Sequence, residues 1–240
     1  MIDRHYWPTP NGRKITMFLE EIGLPYRIVA INLAAGKQFR QEFGAISPSN
    51  RMSAIVDHGP ADGGAPLPGV RIRRDLWYLG KRTSQFAPAD LRGQTQTLQW
   101  LFWQVAGLEP MAGRNHHCAQ YAPERLPYAI ERYGKETHRL YAVLEQRLAE
   151  QPYVAAERHT VADITCYPWI APHERLRQNL EDFPHLKRWL TQIGARPATV
   201  RAYGRAPQFG AQSVGAVQTP QTPTDQTAAC GGSQPGEPVR

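Results

Sequence analysis

A short polar turn near the start of the chain holds residue types that could bind an anion or a thiolate. The turn Pro8-Thr9-Pro10-Asn11-Gly12 follows an aromatic, strand-like run and precedes apolar residues at helical spacing. Thr9 and Asn11 are N-cap types, and Pro10 suits a first helical position. A helix that begins here directs unpaired N–H groups and its positive dipole end beyond the strand. An ordinary capped turn also fits, and these five residues alone favour it.

The cysteines and histidines predict neither a metal centre nor a redox pair within the protein. Cys118, Cys166 and Cys230 have neither metal-ligand nor redox-motif spacing. His116 and His117 adjoin Cys118, but consecutive residues converge poorly on one ion. Because cysteines without a disulfide pattern are typical of a reducing compartment, we predict a cytoplasmic location.

Composition limits the protein class. With 240 residues, of which 41% are hydrophobic, the chain has the content of a globular protein and enough length for two modest domains. No apolar run approaches the roughly 18 residues of a membrane helix, so no membrane partner is predicted. The net charge of +7 is scattered apart from one cluster at residues 70–75, which argues against a nucleic-acid partner. The aromatic residues near Trp100 have helical spacing, which favours a core or dimer interface over a base-stacking platform.

The elements around the turn predict a small α/β domain over residues 1–83. Strand patterns cover residues 2–7, 26–33 and 54–56, and the Gly-rich run DHGPADGG turns the chain toward a further strand and helix. Beyond residue 90 the apolar spacing becomes helical, and Thr160-Val161-Ala162-Asp163 has the form of a capping box. We predict an all-α domain over residues 90–204 and a disordered tail over residues 205–240, where large apolar side chains are scarce.

Several long motifs resemble the glutathione transferases, in particular the bacterial nu-class with disulfide-bond reductase activity. They occur in the family's order and spacing between residues 2 and 203: PTPNGRKITMFLEE, ISPSNRMSAIVDHGPADGG, TLQWLFWQVAGLEPM, NHH and PYAIERYGKE. The resemblance implies a thioredoxin-like α/β domain, an all-α domain of the glutathione-transferase type and a homodimer. It also implies glutathione as co-substrate and a small electrophile or disulfide as second substrate. The alternative is a non-catalytic binding or regulatory protein that keeps the fold.

The resemblance also assigns roles to individual residues. Thr9 and Asn11 match the residues that hydrogen-bond the glutathione sulfur, and donors aimed at a thiolate lower the pKa of its thiol. Gln38 matches a residue at the glycyl end, and the backbone of Met52 would pair with the cysteinyl part. Arg132 matches an arginine that reaches a glutathione carboxylate; without the motif it would be taken as a solvated charge. The reacting sulfurs are then those of glutathione.

The segment before the third strand departs from the family. The family has a proline here whose cis peptide bond presents the preceding backbone to glutathione. This chain has Ser53 instead. Since a non-proline cis bond costs about 3 kcal/mol, we predict that the Met52–Ser53 bond is trans or strained and that the backbone clamp is misplaced.

Residues 70–75 depart further. Where the family has Phe-Glu-Ser-Gly-Ala-Ile, this chain has Val-Arg-Ile-Arg-Arg-Asp. Arg71 and Ile72 thus occupy the positions of the Glu-Ser pair that binds the γ-glutamyl group, the helix loses its cap, and Asp75 falls at an apolar position.

A local frameshift would explain the block. The codons GTT CGA ATC CGG CGC GAT CTG encode Val-Arg-Ile-Arg-Arg-Asp-Leu, and the same bases read one position later encode Phe-Glu-Ser-Gly-Ala-Ile. Family-like sequence resumes at Leu76. A sequencing error and a genuine lesion both fit, and the residues as written predict impaired glutathione binding.

Overall fold

The computed structural model describes residues 1–205, apart from the side chain of Val70. A four-stranded mixed sheet forms the first part of the chain, in the order β2-β1-β3-β4. The strands are β1 (Ile2–Tyr6), β2 (Tyr26–Ala30), β3 (Ala54–Asp57) and β4 (Leu67–Val70). β1 runs parallel to β2 and antiparallel to β3, and β3 and β4 form an antiparallel pair. The second predicted strand is therefore shorter than expected and ends at Ala30.

Helix α1 (Pro10–Ile22) connects the two parallel strands and starts at the predicted turn. Thr9 is its N-cap, Pro10 is its first residue, and Gly23 ends it with a φ of 65°, a conformation that glycine adopts without strain. Among the apolar residues at helical spacing after the turn, Ile15, Phe18 and Leu19 have no exposed surface. Their burial fixes the direction in which the start of α1 points.

The connection from β2 to β3 contains a 3₁₀ turn, Lys37–Phe39, and the short helix α2 (Gln41–Ile46). It ends in a cis peptide bond between Met52 and Ser53, so the trans alternative of the prediction is wrong, and the misplacement of the backbone clamp stays a prediction. Two interactions position this segment without a proline: Ala54 pairs with His5 of β1, and the Ser53 side chain donates to the Asn11 carbonyl oxygen.

Helix α3 (Ile72–Thr83) follows β4 and is followed by the helical part of the chain. Its elements are α4 (Leu91–Trp103), a π-helical turn (Gln104–Leu108), α5 (Glu109–Gln120), α6 (Pro127–Glu150), α7 (Val161–Ile170), a 3₁₀ turn (Leu180–Asp182), α8 (Pro184–Gly194) and α9 (Pro197–Gly204). On α4, Leu101 is buried whereas Phe102 is 66% exposed. The apolar face expected from the spacing is therefore split between the core and the surface.

The predicted capping box at the start of α7 is confirmed. The Asp163 carboxylate accepts hydrogen bonds from the Thr160 backbone N–H and hydroxyl, and Thr160 Oγ1 accepts from the Ala162 N–H. Asp163 also accepts from Val154 N–H and Trp189 Nε1, each at 2.9 Å. All residues of α7 are buried, so this carboxylate joins a core helix to the loop before it and to α8.

One hydrophobic core extends through both parts of the chain, from Ile2 and Ile15 to Leu144 and Trp189. The domain limits 1–83 and 90–204 stay predictions. The disordered tail predicted for 205–240 lies outside the described residues except for Arg205, whose Nε donates to Glu20 at 2.9 Å. Within residues 1–205, no helix is long and apolar enough to span a membrane.

Candidate active site at the start of the first helix

At the start of α1, the hydrogen of the Thr9 hydroxyl is not donated to any group found in residues 1–205. Thr9 is extended, with φ −111° and ψ 163°, and its Oγ1 accepts a hydrogen bond from Gly12 N–H at 3.1 Å. Because Oγ1 is the acceptor in this bond, its own hydrogen remains available to a partner. A Cβ on Gly12 would lie 2.0 Å from the Trp7 carbonyl oxygen, so only glycine permits this close approach. The arrangement suits an anion or a thiolate.

Asn11 is held in place by a residue from the helical part of the chain. Its Nδ2 donates to Glu109 Oε1 at 3.2 Å, and Glu109 is the first residue of α5. Asn11 Oδ1 is buried without a hydrogen-bond partner among residues 1–205. The side chain is therefore bonded through its donor end alone.

The Glu109 carboxylate is the centre of what we call the charge cluster, which comprises Lys14, Arg73, Gln104 and Glu109. Lys14 Nζ lies 2.5 Å from Glu109 Oε2 and has no exposed side-chain surface. Arg73 pairs with the same carboxylate, and its Nε donates to Gln104 Oε1 at 2.9 Å. The cluster joins α1, α3, the π-helical turn and α5, and Glu109 connects it to Asn11.

Burial and charge oppose each other in this cluster. Burial lowers the pKa of the Lys14 ammonium to about 8, although the charge of Glu109 acts in the other direction. Burial alone would raise the pKa of Glu109, but the charges of Lys14 and Arg73 hold it below its ordinary value. The carboxylate therefore stays ionised at neutral pH.

The segment before β3 approaches the same helix start. Ser53 is buried, and its Oγ donates to the Asn11 carbonyl oxygen at 3.3 Å. The Met52 side chain packs against the small apolar cluster that contains Ile31 and Phe43. The structure thus brings Thr9, Asn11 and Ser53 together.

Gln38 and Arg132 lie on other elements. Gln38 is buried in the 3₁₀ turn after β2, and its Oε1 has no hydrogen-bond partner within the described part of the chain. Arg132 is exposed on α6. Their contacts with a ligand stay predictions.

Helix α3 starts without a side-chain cap, and its first turns contain the buried carboxylate of Asp75. Arg71 is the exposed N-cap residue with a φ of 84°, and its side chain makes no capping hydrogen bond, as predicted. Ile72 is buried. Asp75 has no exposed surface; Arg74 Nη1 lies 3.3 Å from its Oδ1, while its Oδ2 has no partner among residues 1–205. Burial raises the pKa of Asp75 to about 7.

No local pattern in the sequence marks Lys14, Gln104 or Glu109 as site residues. Lys14 gave a weak signal, because it lies three residues after Asn11 and next to the apolar Ile15. Glu109 precedes Pro110, an arrangement that is common at helix starts and indicates no partner.

Neither described cysteine offers a reactive thiolate at this site. Cys166 is fully buried, and burial raises the pKa of its thiol. Cys118 is half-buried on α5, and both thiols are free. In residues 1–205, no group of three or more His, Cys, Asp and Glu side chains could hold a metal ion. A cavity of about 780 Å³ between the end of α3 and residues 147–160 contains none of the predicted site residues.

Known proteins resemble the chain over most of its length. The family "Glutathione S-transferase, C-terminal domain" matches residues 123–197. Disulfide-bond oxidoreductase YfcG of Escherichia coli is 50% identical over 206 residues, which are 86% of this chain and 96% of that protein.

Solved structures show the same fold. A glutathione transferase family member from Pseudomonas fluorescens, with two glutathione molecules bound, is 33% identical with a TM-score of 0.79 over 84% of this chain and 92% of that chain. A glutathione transferase from Pseudomonas putida, with one glutathione disulfide bound per subunit, is 31% identical with a TM-score of 0.77 over 84% and 90%. With the predicted α/β and all-α parts, these similarities show that the chain belongs to the glutathione transferase family and, within it, to the disulfide-bond oxidoreductase-like branch.

Proposed function

We propose that this protein is a glutathione-dependent enzyme that uses the glutathione thiolate to reduce a small disulfide or to attack an electrophile. The observation that carries the proposal is the orientation of Thr9. Its oxygen accepts the Gly12 N–H, so its hydrogen can point to a sulfur atom in front of α1. A hydroxyl donor and a helix N-terminus both favour a thiolate over a thiol.

In disulfide reduction, the thiolate attacks one sulfur of the second substrate. A glutathione mixed disulfide forms, and the other half of the substrate leaves as a thiolate that takes up a proton. A second glutathione thiolate then attacks the mixed disulfide, releasing glutathione disulfide and the remaining thiol. The relatives that bind two glutathione molecules or one glutathione disulfide support a site with room for this sequence. No protein cysteine takes part.

The other predicted residues would hold the peptide part of glutathione. Gln38 would bind the glycyl end. Its Oε1, buried and without a hydrogen-bond partner in the described residues 1–205, is an acceptor that fits an N–H donor. The Met52 backbone would pair with the cysteinyl part, and Ser53 fixes that backbone against α1. Arg132 is exposed and could reach a carboxylate as a charged donor.

We further propose that residues 70–75, as written, weaken glutathione binding. Arg71 and Ile72 offer neither the carboxylate nor the hydroxyl of a Glu-Ser pair, and α3 starts without a side-chain cap. This observation favours the second candidate function, a binding or regulatory protein with the family's fold and without turnover.

Assembly and location are also proposals. Phe102 and Val105 are 66% and 37% exposed at the end of α4 and in the π-helical turn, and we propose that they lie in a homodimer interface. A cytoplasmic location fits the free thiols of Cys118 and Cys166 and a glutathione-dependent reaction.

Steady-state kinetics with glutathione test the two functions. The assays pair glutathione with 2-hydroxyethyl disulfide or with 1-chloro-2,4-dinitrobenzene. Turnover that falls roughly tenfold or more in Thr9→Ala, and less in Thr9→Ser, supports the enzyme, since a lost charge-assisted hydrogen bond is worth about 1.5–3 kcal/mol. A folded protein without turnover in either assay supports the binding protein.

A further inference from the structure

Glu109 controls which end of the Asn11 amide faces the helical part of the chain. The Asn11 Nδ2 lies 3.2 Å from Glu109 Oε1, and the two residues are 98 positions apart in sequence. A carboxylate accepts hydrogen bonds and donates none, so Oδ1 of the amide would be repelled there. The carboxylate therefore selects one of the two flipped orientations of the amide.

This orientation leaves one amide hydrogen unused. An asparagine Nδ2 carries two hydrogens, and Glu109 accepts one of them. Asn11 Oδ1 is buried and has no hydrogen-bond partner among residues 1–205. In the opposite orientation the carbonyl oxygen would replace the donor and would repel a thiolate.

We propose that Glu109 is a positioning residue, which holds Asn11 so that its second Nδ2 hydrogen donates to the glutathione sulfur. The proposal rests on the function proposed above and adds a residue from α5 to it. Glu109 does not touch the substrate; it acts through Asn11.

Several charged groups surround Glu109. The effect of its hydrogen bond with Asn11 on the thiol pKa must therefore be separated from the effect of its charge. Lys14 faces it from α1 and Arg73 from α3, while Cys166 of α7 and Arg71 lie close enough to influence these two cations. Coulomb's law alone predicts that removing the negative charge of Glu109 lowers the pKa of a nearby thiol. Loss of the Asn11 donor predicts the opposite, a higher thiol pKa.

Two double variants isolate the hydrogen bond from the charge. Lys14→Met with Glu109→Leu, and Lys14→Met with Glu109→Gln, each remove one positive and one negative charge. The net charge of the cluster is thus unchanged in both. Exchanging a buried ion pair for apolar or neutral groups is often tolerated. The variants differ in the side chain at position 109: Gln carries an amide oxygen that can accept from Asn11, and Leu carries no polar group.

The measurement is a pH titration of the thiolate absorbance of bound glutathione at saturating concentration, with the pH profile of kcat beside it. In the Leu variant we expect the pKa of the bound thiol to rise by about one unit, which reduces the thiolate fraction about tenfold at pH values below that pKa. In the Gln variant we expect a rise of at most about 0.3 unit. Equal thiol pKa values in the two folded variants would overturn the proposal.

Asn11→Ala separates this proposal from the proposed function. It should raise the thiol pKa by itself, and in its background the Leu and Gln variants should become equal. If Asn11→Ala leaves the thiol pKa unchanged, the predicted role of Asn11 as a donor to the glutathione sulfur fails, and with it the role of Glu109, while the proposed function still stands on Thr9. If Asn11→Ala raises it and the Leu and Gln variants still agree, only the role of Glu109 fails.

Glu109→Asp provides a second test that does not depend on the folding of the double variants. It keeps the charge and withdraws the carboxylate from Asn11 by one methylene. A raised thiol pKa is expected, and an unchanged one, with glutathione bound, contradicts the proposal.

Discussion

Individual hydrogens decide what the candidate site can do. Thr9 uses its oxygen within the helix cap, and Asn11 uses one hydrogen on Glu109, so each retains one donor. Both donors lie at the positive end of α1, where a negative sulfur is favoured. For the buried Cys166, burial outweighs the hydrogen bond from Thr165 and the nearby charge of Lys14 and raises the pKa of the thiol. A thiolate is thus disfavoured in the core at Cys166 and favoured at the start of α1.

The buried Asp75 should make the free energy of unfolding depend on pH. Burial raises its pKa to about 7 from an ordinary value of 3.8, so the folded state binds a proton that the unfolded state has released. Stability should therefore fall as the pH rises from about 4 to about 7, by about 4 kcal/mol in total. Asp75→Asn should remove this fall. Chemical unfolding at pH 5 and pH 8 measures it.

The comparison of the unaltered chain with Asp75→Asn contains its own control. Other titrating groups contribute equally to both, so the difference in unfolding free energy between Asp75→Asn and the unaltered chain isolates this carboxylate. That difference should grow in favour of the variant from pH 5 to pH 8. A difference that is the same at both pH values would contradict the burial of an ionisable Asp75.

Among the elements, α7 depends most clearly on one side chain. Asp163 accepts from Val154 N–H, Thr160 N–H and Trp189 Nε1 within the core. Asp163→Ala would leave these donors buried and unpaired, and we expect a loss of about 4 kcal/mol in unfolding free energy. Thr160→Ser keeps the cap hydroxyl and should cost less than about 1 kcal/mol. Denaturant unfolding measures both, and a loss below about 1 kcal/mol in Asp163→Ala would refute the role.

Local signals explain which elements could be predicted from the sequence. Thr9 and Pro10 mark the start of α1, and Thr160 and Asp163 mark the start of α7, because a cap is formed by residues within a few positions of each other. The family motifs supplied the order of the domains and the candidate residues. The spacing on α4 was less informative, because periodicity defines a stripe and the packing of other helices decides which part is buried: Leu101 faces the core and Phe102 the surface.

Contacts between distant residues explain what the sequence could not predict. Asn11 and Glu109 meet although they are far apart in the sequence, because α1 and α5 both pack against α7, and neither residue carries a local mark of the other. From the sequence alone, Lys14 would be assigned to the surface as a charged residue. Its burial depends on its ion pair with the Glu109 carboxylate. The backbone at Met52–Ser53 likewise follows from the sheet and from α1, and the absence of proline predicted the wrong isomer.

For the whole molecule, the charge cluster connects the two parts of the chain at the site. Glu109 comes from the helical part, whereas Lys14 and Arg73 belong to the elements around the sheet. A change in how the two parts pack would therefore move Asn11 as well. This dependence is a reason to expect that the site works only in the complete fold.

The proposed homodimer is tested by placing a charged residue in the proposed interface. The unaltered chain should sediment at twice its mass of 27.0 kDa. Phe102→Glu, at a position 66% exposed in the single chain, should weaken the dimer at least about tenfold, because a buried unpaired carboxylate is costly. Val200→Glu is the matched control, since Val200 is 58% exposed on α9. Analytical ultracentrifugation over a concentration series measures both, and a monomeric unaltered chain would refute the proposed dimer.

The segment 70–75 provides the test of whether the chain as written performs the family's reaction. Two matched variants are compared with the chain as written. One carries Phe-Glu-Ser-Gly-Ala-Ile at these positions, and the other carries Phe-Gln-Ser-Gly-Ala-Ile. Their shapes agree, and only the first has a carboxylate for the ammonium of the γ-glutamyl group. Clean in-frame codons across positions 65–80 that cannot encode the shifted peptide would remove the frameshift explanation and leave the binding prediction in place.

The chain as written should bind glutathione about a hundredfold more weakly than the first variant. Arg71 repels the ammonium of the γ-glutamyl group, and α3 presents no side-chain cap to its carboxylate. Two lost charge-assisted hydrogen bonds are worth about 3 kcal/mol, which corresponds to the hundredfold difference. The Gln variant restores the hydroxyl alone and should fall between the two. Lys14 still pairs with Glu109 in each variant, so the charge cluster keeps its buried ion pair after Arg73 is replaced. Isothermal titration with glutathione measures the three dissociation constants, and equally tight binding by the chain as written would show that Arg71 and Ile72 do not impair the site.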